Sequence, residues 1–136
     1  MARYAVVDYA LQRRALLTGV RSGRIGVAEV CDAHPYLLRA AQYHGEPSGQ
    51  DCPICRADRL THVRYVYGED LRHVSGQAKT AAELDRLEGT GRGFSVYTVE
   101  VCRTCTWNHL ITSYQVGAKP ELARAAPRHS RQAARE

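Results

Sequence analysis

Three segments of the chain alternate between apolar and polar side chains, which is the pattern of half-buried β-strands. These segments are Leu60 to Tyr67, Phe94 to Val101 and His109 to Val116. Residues 68–93 separate the first two and contain one predicted helix, Thr80 to Glu88, because Thr80 and Glu83 have the spacing of a capping box. The pattern predicts a three-stranded antiparallel sheet with a helical insertion between its first two strands.

The first 45 residues have helical periodicity instead, and three short helices are predicted there. The first carries Val7, Leu11 and Ala15 on one face, the second covers Val27 to Asp32, and the third runs from Pro35 to His44 with Leu37, Leu38 and Ala41 as its apolar stripe. Proline suits the first turn of the third helix, and glycines follow the first and the third.

The composition limits the class of protein. Of 136 residues, 44% are hydrophobic and 24% charged, and the mean hydropathy is −0.41. These values exclude a membrane protein and a wholly disordered chain. The N-terminus lacks the order of a signal peptide, so we expect a cytoplasmic location.

The chain is poor in large apolar side chains, with one Phe and one Trp beside eight Tyr. Because large apolar anchors are so few, we expect something other than aromatic packing to help hold the fold.

Positive charge is concentrated at the two ends of the chain. The net charge is +5, with 17 Arg among 19 basic residues. Residues 1–45 and 118–136 each carry +3, whereas residues 46–117 carry −1. Basic ends can contact nucleic acid or acidic protein surfaces, and the alternative is an arginine-rich composition on ordinary solvated faces. Residues 118–136 are rich in alanine and poor in large apolar residues, so a disordered tail is predicted.

Two CxxC pairs are the strongest chemical signal in the sequence. Cys52 and Cys55 form the first, Cys102 and Cys105 form the second, and 46 residues separate the pairs. Zn²⁺ favours four soft ligands in a tetrahedron, and a CxxC turn presents two thiolates to one ion. The second pair also lies between two predicted strands, as in a zinc ribbon. We therefore predict one structural Zn²⁺ per chain, bound by all four cysteines.

Other chemistry of the same cysteines stays open at this level. A redox pair or disulfide is disfavoured because neither pair begins a helix after a βαβ strand. Iron is an alternative, since four thiolates alone do not choose between the metals. His62 or His109 can replace a cysteine ligand, although four paired thiolates leave no need for either.

Cys31 is the unpaired cysteine. It lies in a predicted helical segment, and buried free cysteines are common. A nucleophilic role would need His34 as its base, but no oxyanion element is visible. The sequence contains no phosphate-binding or nucleophile-elbow motif, and a site closed by four cysteines leaves no place for water. We therefore expect no enzymatic activity.

The elements combine into an α+β fold in which short N-terminal helices pack on a three-stranded antiparallel zinc-ribbon sheet. Residues 1–45 are predicted to form the helical segment. Residues 46–117 form a zinc-ribbon-like domain with the insertion at 68–93, and residues 118–136 form the tail.

Four stretches of the sequence carry a family resemblance. They are Val30 to Ala41, Cys52-Pro53-Ile54-Cys55, Tyr65-Val66-Tyr67-Gly68 and Cys102 to Leu110. Together they resemble an uncharacterised family of small actinobacterial proteins, a domain of unknown function. The resemblance covers roughly residues 4–117. It implies a zinc ribbon but no activity. It also implies that the many arginines and alanines reflect a high-GC genome.

A closed zinc ribbon with basic ends fits a binding module, because the metal makes a small sheet rigid without a large core. As a class, zinc ribbons resemble modules of polymerase subunits, transcription factors and ribosomal proteins. We expect the protein to act on RNA polymerase, the ribosome or RNA. A protein partner is favoured over nucleic acid, and no membrane contact is expected. The alternative is a purely structural protein–protein adaptor, and a thiol or metal enzyme is a weaker third interpretation.

Five residues are candidate partner contacts: Trp107, Arg103, Arg56, Arg59 and Arg39. Trp107 either stacks on a base or caps the helical layer onto the sheet. Three of the arginines lie beside the CxxC pairs, where they can contact phosphates. Arg39 would lie on the second helix of a helix-turn-helix over residues 27–44, which the very short first helix disfavours.

Overall fold

The computed structural model describes residues 3–117, so the predicted tail at 118–136 lies outside the described residues. In chain order the elements are β1 (Arg3–Asp8), α1 (Ala10–Arg21), α2 (Val27–Val30), α3 (Pro35–His44), β2 (Glu46–Asp51), β3 (Arg59–Tyr67), a 3₁₀ segment (Glu69–Val74), β4 (Ala78–Lys79), α4 (Ala81–Glu88), β5 (Phe94–Val101) and β6 (Asn108–Val116). The predicted α+β class is confirmed.

The six strands form one antiparallel sheet. Their order is β1-β6-β5-β3-β2, and β4 pairs with β3 beside β2. The three predicted strands are present as β3, β5 and β6, in the centre of the sheet. The prediction of a three-stranded sheet was wrong, because β1, β2 and β4 extend it at both sides.

The missed outer strands lack the apolar alternation that marks a half-buried strand. In β1, Val6 is 64% exposed and Val7 43% exposed, so the strand is held by pairing with β6 rather than by burial. The helix predicted around Val7 therefore begins only at Ala10. The segment around Pro47, which has no apolar alternation, forms the edge strand β2, where proline is tolerated.

The predicted helices are largely present. α3 has the predicted bounds, and α4 begins one residue later than predicted, at Ala81, with Thr80 as its cap. The predicted capping box is present: Thr80 Oγ1 accepts from the Glu83 amide at 3.1 Å and Glu83 Oε1 accepts from the Thr80 amide at 2.8 Å. α2 is shorter than predicted and ends at Val30. Within residues 3–117, no helix is long and apolar enough to cross a membrane.

The buried side chains form three clusters. One lies under the insertion and includes Leu71, Leu84 and Phe94, and another lies under α3 and includes Val63 and Val101. The third joins side chains of α1, α2 and β3 to the two CxxC pairs. Its buried members are Leu17, Val30, Cys52, Leu60, Cys102 and Trp107. The cysteines are therefore part of the core rather than an appendage on it.

Candidate metal centre

Two similar turns hold the four paired cysteines. Cys52 and Cys55 lie between β2 and β3, whereas Cys102 and Cys105 lie between β5 and β6. In each turn, a backbone amide contacts the first sulfur at 3.4 Å: Ile54 N reaches Cys52 Sγ, and Cys105 N reaches Cys102 Sγ. These contacts hold the first sulfur of each pair against the backbone of its own turn.

The turns end in the same unusual backbone conformation. Arg56 and Thr106, each four residues after the first cysteine of its pair, have φ values of 56° and 71°. Their amides donate to the carbonyl oxygens of Cys52 and Cys102 at 3.2 and 2.9 Å. Non-glycine residues rarely adopt this left-handed region, so each turn holds one residue in a strained backbone conformation.

The sulfur atoms of the two turns converge. Cys52 Sγ lies 3.6 Å from Cys105 Sγ, Cys55 Sγ lies 3.7 Å from Cys102 Sγ, and all four lie within 4.8 Å of one another. A tetrahedral ion with metal–sulfur bonds of about 2.3 Å requires sulfur–sulfur distances of about 3.8 Å. A disulfide requires about 2.05 Å. The four cysteines can therefore hold a metal ion, and they are not disulfide-bonded.

In the absence of a cation, burial disfavours the charged thiolate form of these cysteines. Burial raises the pKa of Cys52 and Cys102 and raises that of Cys105 to about 11. The Ala57 amide, which donates to Cys55 Sγ, lowers the pKa of that thiol. Four neighbouring thiolates would repel one another, whereas a divalent ion would stabilise them. The donor set thus fits a soft or borderline dication.

Histidine is not part of the cluster. Among residues 3–117, the four cysteines form the only convergent group of three or more His, Cys, Asp or Glu ligands. His109 instead stacks on Trp107 with ring centroids 5.9 Å apart and planes at 14°. His62 pairs across the sheet with Glu100. Neither histidine therefore replaces a cysteine ligand.

A buried carboxylate connects the cysteine region to α1. Glu100 is 2% exposed, and its Oε2 accepts from Trp107 Nε1 at 2.8 Å and from Arg13 Nε at 2.7 Å. His62 and His109 lie opposite it on the neighbouring strands, and burial lowers the pKa of His62. The sequence interpretation missed Glu100. The sequence did carry a signal for it, because Glu100 is an acidic residue within the predicted strand Phe94 to Val101.

Trp107 is completely buried, so its ring is not available to stack on a base. Of its two predicted roles, the burial fits packing between the helices and the sheet. Cys31 forms an isolated backbone bridge with Trp107, and the Ala33 amide donates to the Thr106 carbonyl at 3.1 Å. Trp107 therefore lies under the segment that joins α2 to α3.

Cys31 contacts the cluster, which the sequence did not predict. Its Sγ lies 3.7 Å from Cys105 Sγ, and the residue is partly exposed at the end of α2. His34, the base that a nucleophilic Cys31 would need, accepts at Nδ1 from the Tyr36 amide at 3.1 Å and caps α3. The structure thus brings Cys31 to the four paired cysteines and engages His34 elsewhere.

Three of the four candidate arginines surround the turns. Arg56, Arg59 and Arg103 are all exposed. Between them, Thr104 Oγ1 donates to Asp58 Oδ2 at 2.9 Å, which joins the two turns and lowers the pKa of Asp58. The carboxylate reduces the positive character of this surface, so it is a mixed rather than a strongly basic patch.

Arg39 belongs to a separate surface, which we call the α3 groove. Eight residues line it: Tyr36, Arg39, Ala40, Tyr43, His44, Tyr65, Gln77 and Ala78. The groove has a volume of about 350 Å³. Tyr36 and Tyr43 are 70% and 66% exposed, and the Arg39 guanidinium lies 5.9 Å from the centroid of the Tyr36 ring. The structure therefore separates Arg39 from the other candidate contacts.

Comparison with known proteins places the chain in a family. It belongs to DUF5318, a family of unknown function, whose profile matches residues 1–132. Uncharacterized proteins of Mycobacterium bovis and Mycobacterium tuberculosis are each 54% identical to it over 133 residues, which cover 95% of this chain and 97% of theirs. No solved structure matches the chain. The predicted resemblance to an uncharacterised actinobacterial family is confirmed.

Proposed function

We propose that this member of DUF5318 is a non-enzymatic binding module whose fold is held by one structural Zn²⁺. The convergence of four cysteine sulfurs to within 4.8 Å of one another carries the proposal. Cys52 and Cys55 would hold the ion from the β2–β3 side, and Cys102 and Cys105 from the β5–β6 side. The ion would supply bonds between two turns that are distant in sequence.

Four cysteine ligands support a structural rather than a catalytic ion. A tetrahedral ion with four thiolate ligands has no open position for water or substrate. Two titratable side chains of this region are also engaged, because Glu100 accepts from Trp107 and Arg13 while His34 caps α3. Neither Glu100 nor His34 is therefore free to act as a general base.

The α3 groove supports a protein partner. Tyrosine and arginine are enriched at the energetic centres of protein interfaces, and the groove combines Tyr36, Arg39 and Tyr43 on one exposed helix face. None of its eight lining residues is acidic. An acidic segment of a partner protein complements Arg39, so we propose that such a segment occupies the groove.

The partner class rests on analogy. Closed zinc ribbons, as a class, resemble modules of the transcription and translation machinery, so we propose an RNA polymerase or ribosomal component in the cytoplasm. Base stacking is not part of the proposal, because Trp107 is buried. A purely structural adaptor that binds only other proteins is the alternative.

Cobalt substitution tests the metal part of the proposal. Apoprotein titrated with Co²⁺ should develop the intense visible absorption of tetrahedral thiolate coordination and reach its end point at one ion per chain, and Zn²⁺ should then displace the cobalt. Octahedral spectra, or no saturable binding by reduced protein, would contradict a four-thiolate site.

Affinity capture from an actinobacterial host tests the partner. The full tagged chain should retain a polymerase or ribosomal component after nuclease treatment, and the double variant Tyr36→Ala/Tyr43→Ala should lose it. Leu11→Ala is a matched control, since Leu11 is 72% exposed on another helix. Capture of unrelated proteins only would favour the adaptor. Capture abolished by nuclease would favour nucleic acid, and unchanged capture by the double variant would exclude the groove.

A further inference from the structure

The metal centre has a fifth sulfur beside it. Cys31 Sγ lies 3.7 Å from Cys105 Sγ, the same separation as between Cys55 and Cys102, which face each other from the two turns. Cys31 is not a member of the convergent group of four. It is therefore a thiol in contact with a ligand sulfur but outside the tetrahedron.

Backbone contacts fix this arrangement on both sides of the sulfur pair. Cys31 forms a β-bridge with Trp107, two residues after Cys105. The Ala33 amide donates to the Thr106 carbonyl at 3.1 Å, and Val30 is buried in the same cluster as the cysteines. The contact is thus made between two anchored segments.

Access to the centre is uneven. Cys52 and Cys102 are 0% exposed, whereas Cys31, Cys55 and Cys105 are partly exposed. A small oxidant therefore reaches Cys55 or Cys105 before the buried ligands. Only Cys105 has beside it a sulfur that a four-cysteine ion leaves free.

We propose that Cys31 and Cys105 form a peroxide-reactive modification site whose oxidation to a disulfide releases the metal ion. The inference rests on the metal site of the proposed function. It assigns Cys105 as the ligand that a hydroperoxide attacks and Cys31 as the resolving thiol. Its substrate class is a small hydroperoxide, for which hydrogen peroxide is the probe.

The reaction balances with hydrogen peroxide as the oxidant. The Cys105 thiolate attacks one peroxide oxygen, the O–O bond breaks, and Cys105 sulfenic acid and hydroxide form. The Cys31 thiol then attacks the sulfenic sulfur, which forms the S–S bond and releases water. The two sulfurs together lose two electrons, and the peroxide gains them. The ion loses one thiolate ligand.

Cys31 is the favoured resolving thiol because it is outside the tetrahedron. Cys52 lies at a similar distance from Cys105, 3.6 Å, but as a ligand it must first give up its own bond to the ion. Cys31 needs only to approach Cys105 from 3.7 Å to a bond length of about 2.05 Å. Disulfide formation through Cys31 therefore removes one ligand and leaves the other three cysteines reduced.

The test uses the full zinc-loaded chain treated with hydrogen peroxide. A chromogenic chelator measures released zinc, and non-reducing peptide mapping identifies the disulfide. We expect a Cys31–Cys105 disulfide that appears together with zinc release, and recovery of zinc binding after thiol reduction. Cys31→Ser should hold one zinc per chain but release it about an order of magnitude more slowly, because the resolving thiol is absent. Cys31→Ala serves if the serine variant folds poorly.

Three results would overturn the proposal. The first is zinc release at equal rates from the native chain and the Cys31 variants. The second is a disulfide that joins two ligand cysteines while Cys31 stays reduced. The third is zinc release without any disulfide. These outcomes differ from failure of the proposed function, in which the untreated chain holds no zinc at all.

Discussion

Cys52 and Cys31 both contact Cys105, but only Cys52 belongs to the group of four cysteines that can hold a metal ion. Cys52 is 0% exposed and faces Cys105 from the opposite turn, whereas Cys31 is partly exposed and lies outside the group of four. Structural zinc contributes about 10–16 kcal/mol of apparent binding free energy, which is as large as the net stability of a domain.

We therefore predict that Cys52→Ser lowers the free energy of unfolding by several kcal/mol or abolishes cooperative unfolding. Cys31→Ser should change it by less than about 1 kcal/mol, because no metal bond is lost. Urea unfolding of both variants under reducing conditions measures the difference. Equal damage from the two substitutions would place Cys31 among the ligands.

Glu100 gives a second prediction at this scale. Glu100→Gln leaves Arg13 without its counter-charge while keeping an acceptor for Trp107, and the Arg13 side chain is 27% exposed. We expect a loss of about 1–3 kcal/mol in the free energy of unfolding. Glu46→Gln breaks a more exposed pair with Arg64 and should cost less than about 1 kcal/mol. Similar losses in denaturant unfolding would contradict the structural role of Glu100.

Sequence patterns revealed some of these residues and not others. The spacing of each CxxC pair is local, so it predicted the four clustered cysteines directly. The contact between Cys31 and Cys105 spans 74 residues. It depends on how the chain after α2 meets the second turn. The partners of Glu100 depend on the packing of α1, and on the pairing of β5 with β6, whose register shifts between Thr98 and Val99. Neither arrangement can be inferred from periodicity.

The turn between α3 and β2 gives a prediction at the scale of elements. Gly45 has φ −78°, so its backbone does not itself require glycine. A Cβ there would instead overlap Thr61 Cγ2 and the Ala41 carbonyl oxygen. The lack of a side chain thus lets α3 end directly against β3.

Gly45→Ala is expected to lower the free energy of unfolding by about 1–3 kcal/mol, because backbone must move to relieve the overlap. Gly89→Ala, at the end of α4, is a matched control. Its Cβ would lie 3.4 Å from the nearest atom and its φ is −71°, so the change should be neutral or stabilising by up to about 1 kcal/mol. Thermal unfolding compares the two, and a neutral Gly45→Ala would contradict the close packing of α3 on β3.

The elements that sequence predicted well are those whose burial alternates or whose caps are local. β5 and α4 are examples, because one alternates strongly and the other has a complete capping box. β1 and β2 were missed because their side chains are mostly exposed and their stability comes from pairing with β6 and β3. Backbone pairing leaves no apolar pattern in an edge strand.

For the whole molecule, a divalent ion at the four cysteines would change how the net charge is distributed. Residues 46–117 carry eight basic and nine acidic residues. Four thiolates and one divalent ion add two further negative charges, which makes this segment about −3. The metal-bound chain would then carry about +3 in place of the formal +5, and its positive charge belongs to residues 1–45 and 118–136. This distribution argues against the sheet itself as a nucleic-acid surface and is consistent with a protein partner at the α3 groove.

Elemental analysis of the purified full chain, combined with a count of free thiols, tests the central claim most directly. We expect one zinc ion per chain, and five titratable thiols once the protein is denatured with a chelator. Iron at one ion per chain would contradict the choice of zinc. A chain that is folded and fully reduced, yet neither contains nor takes up metal, would contradict the metal-held fold itself.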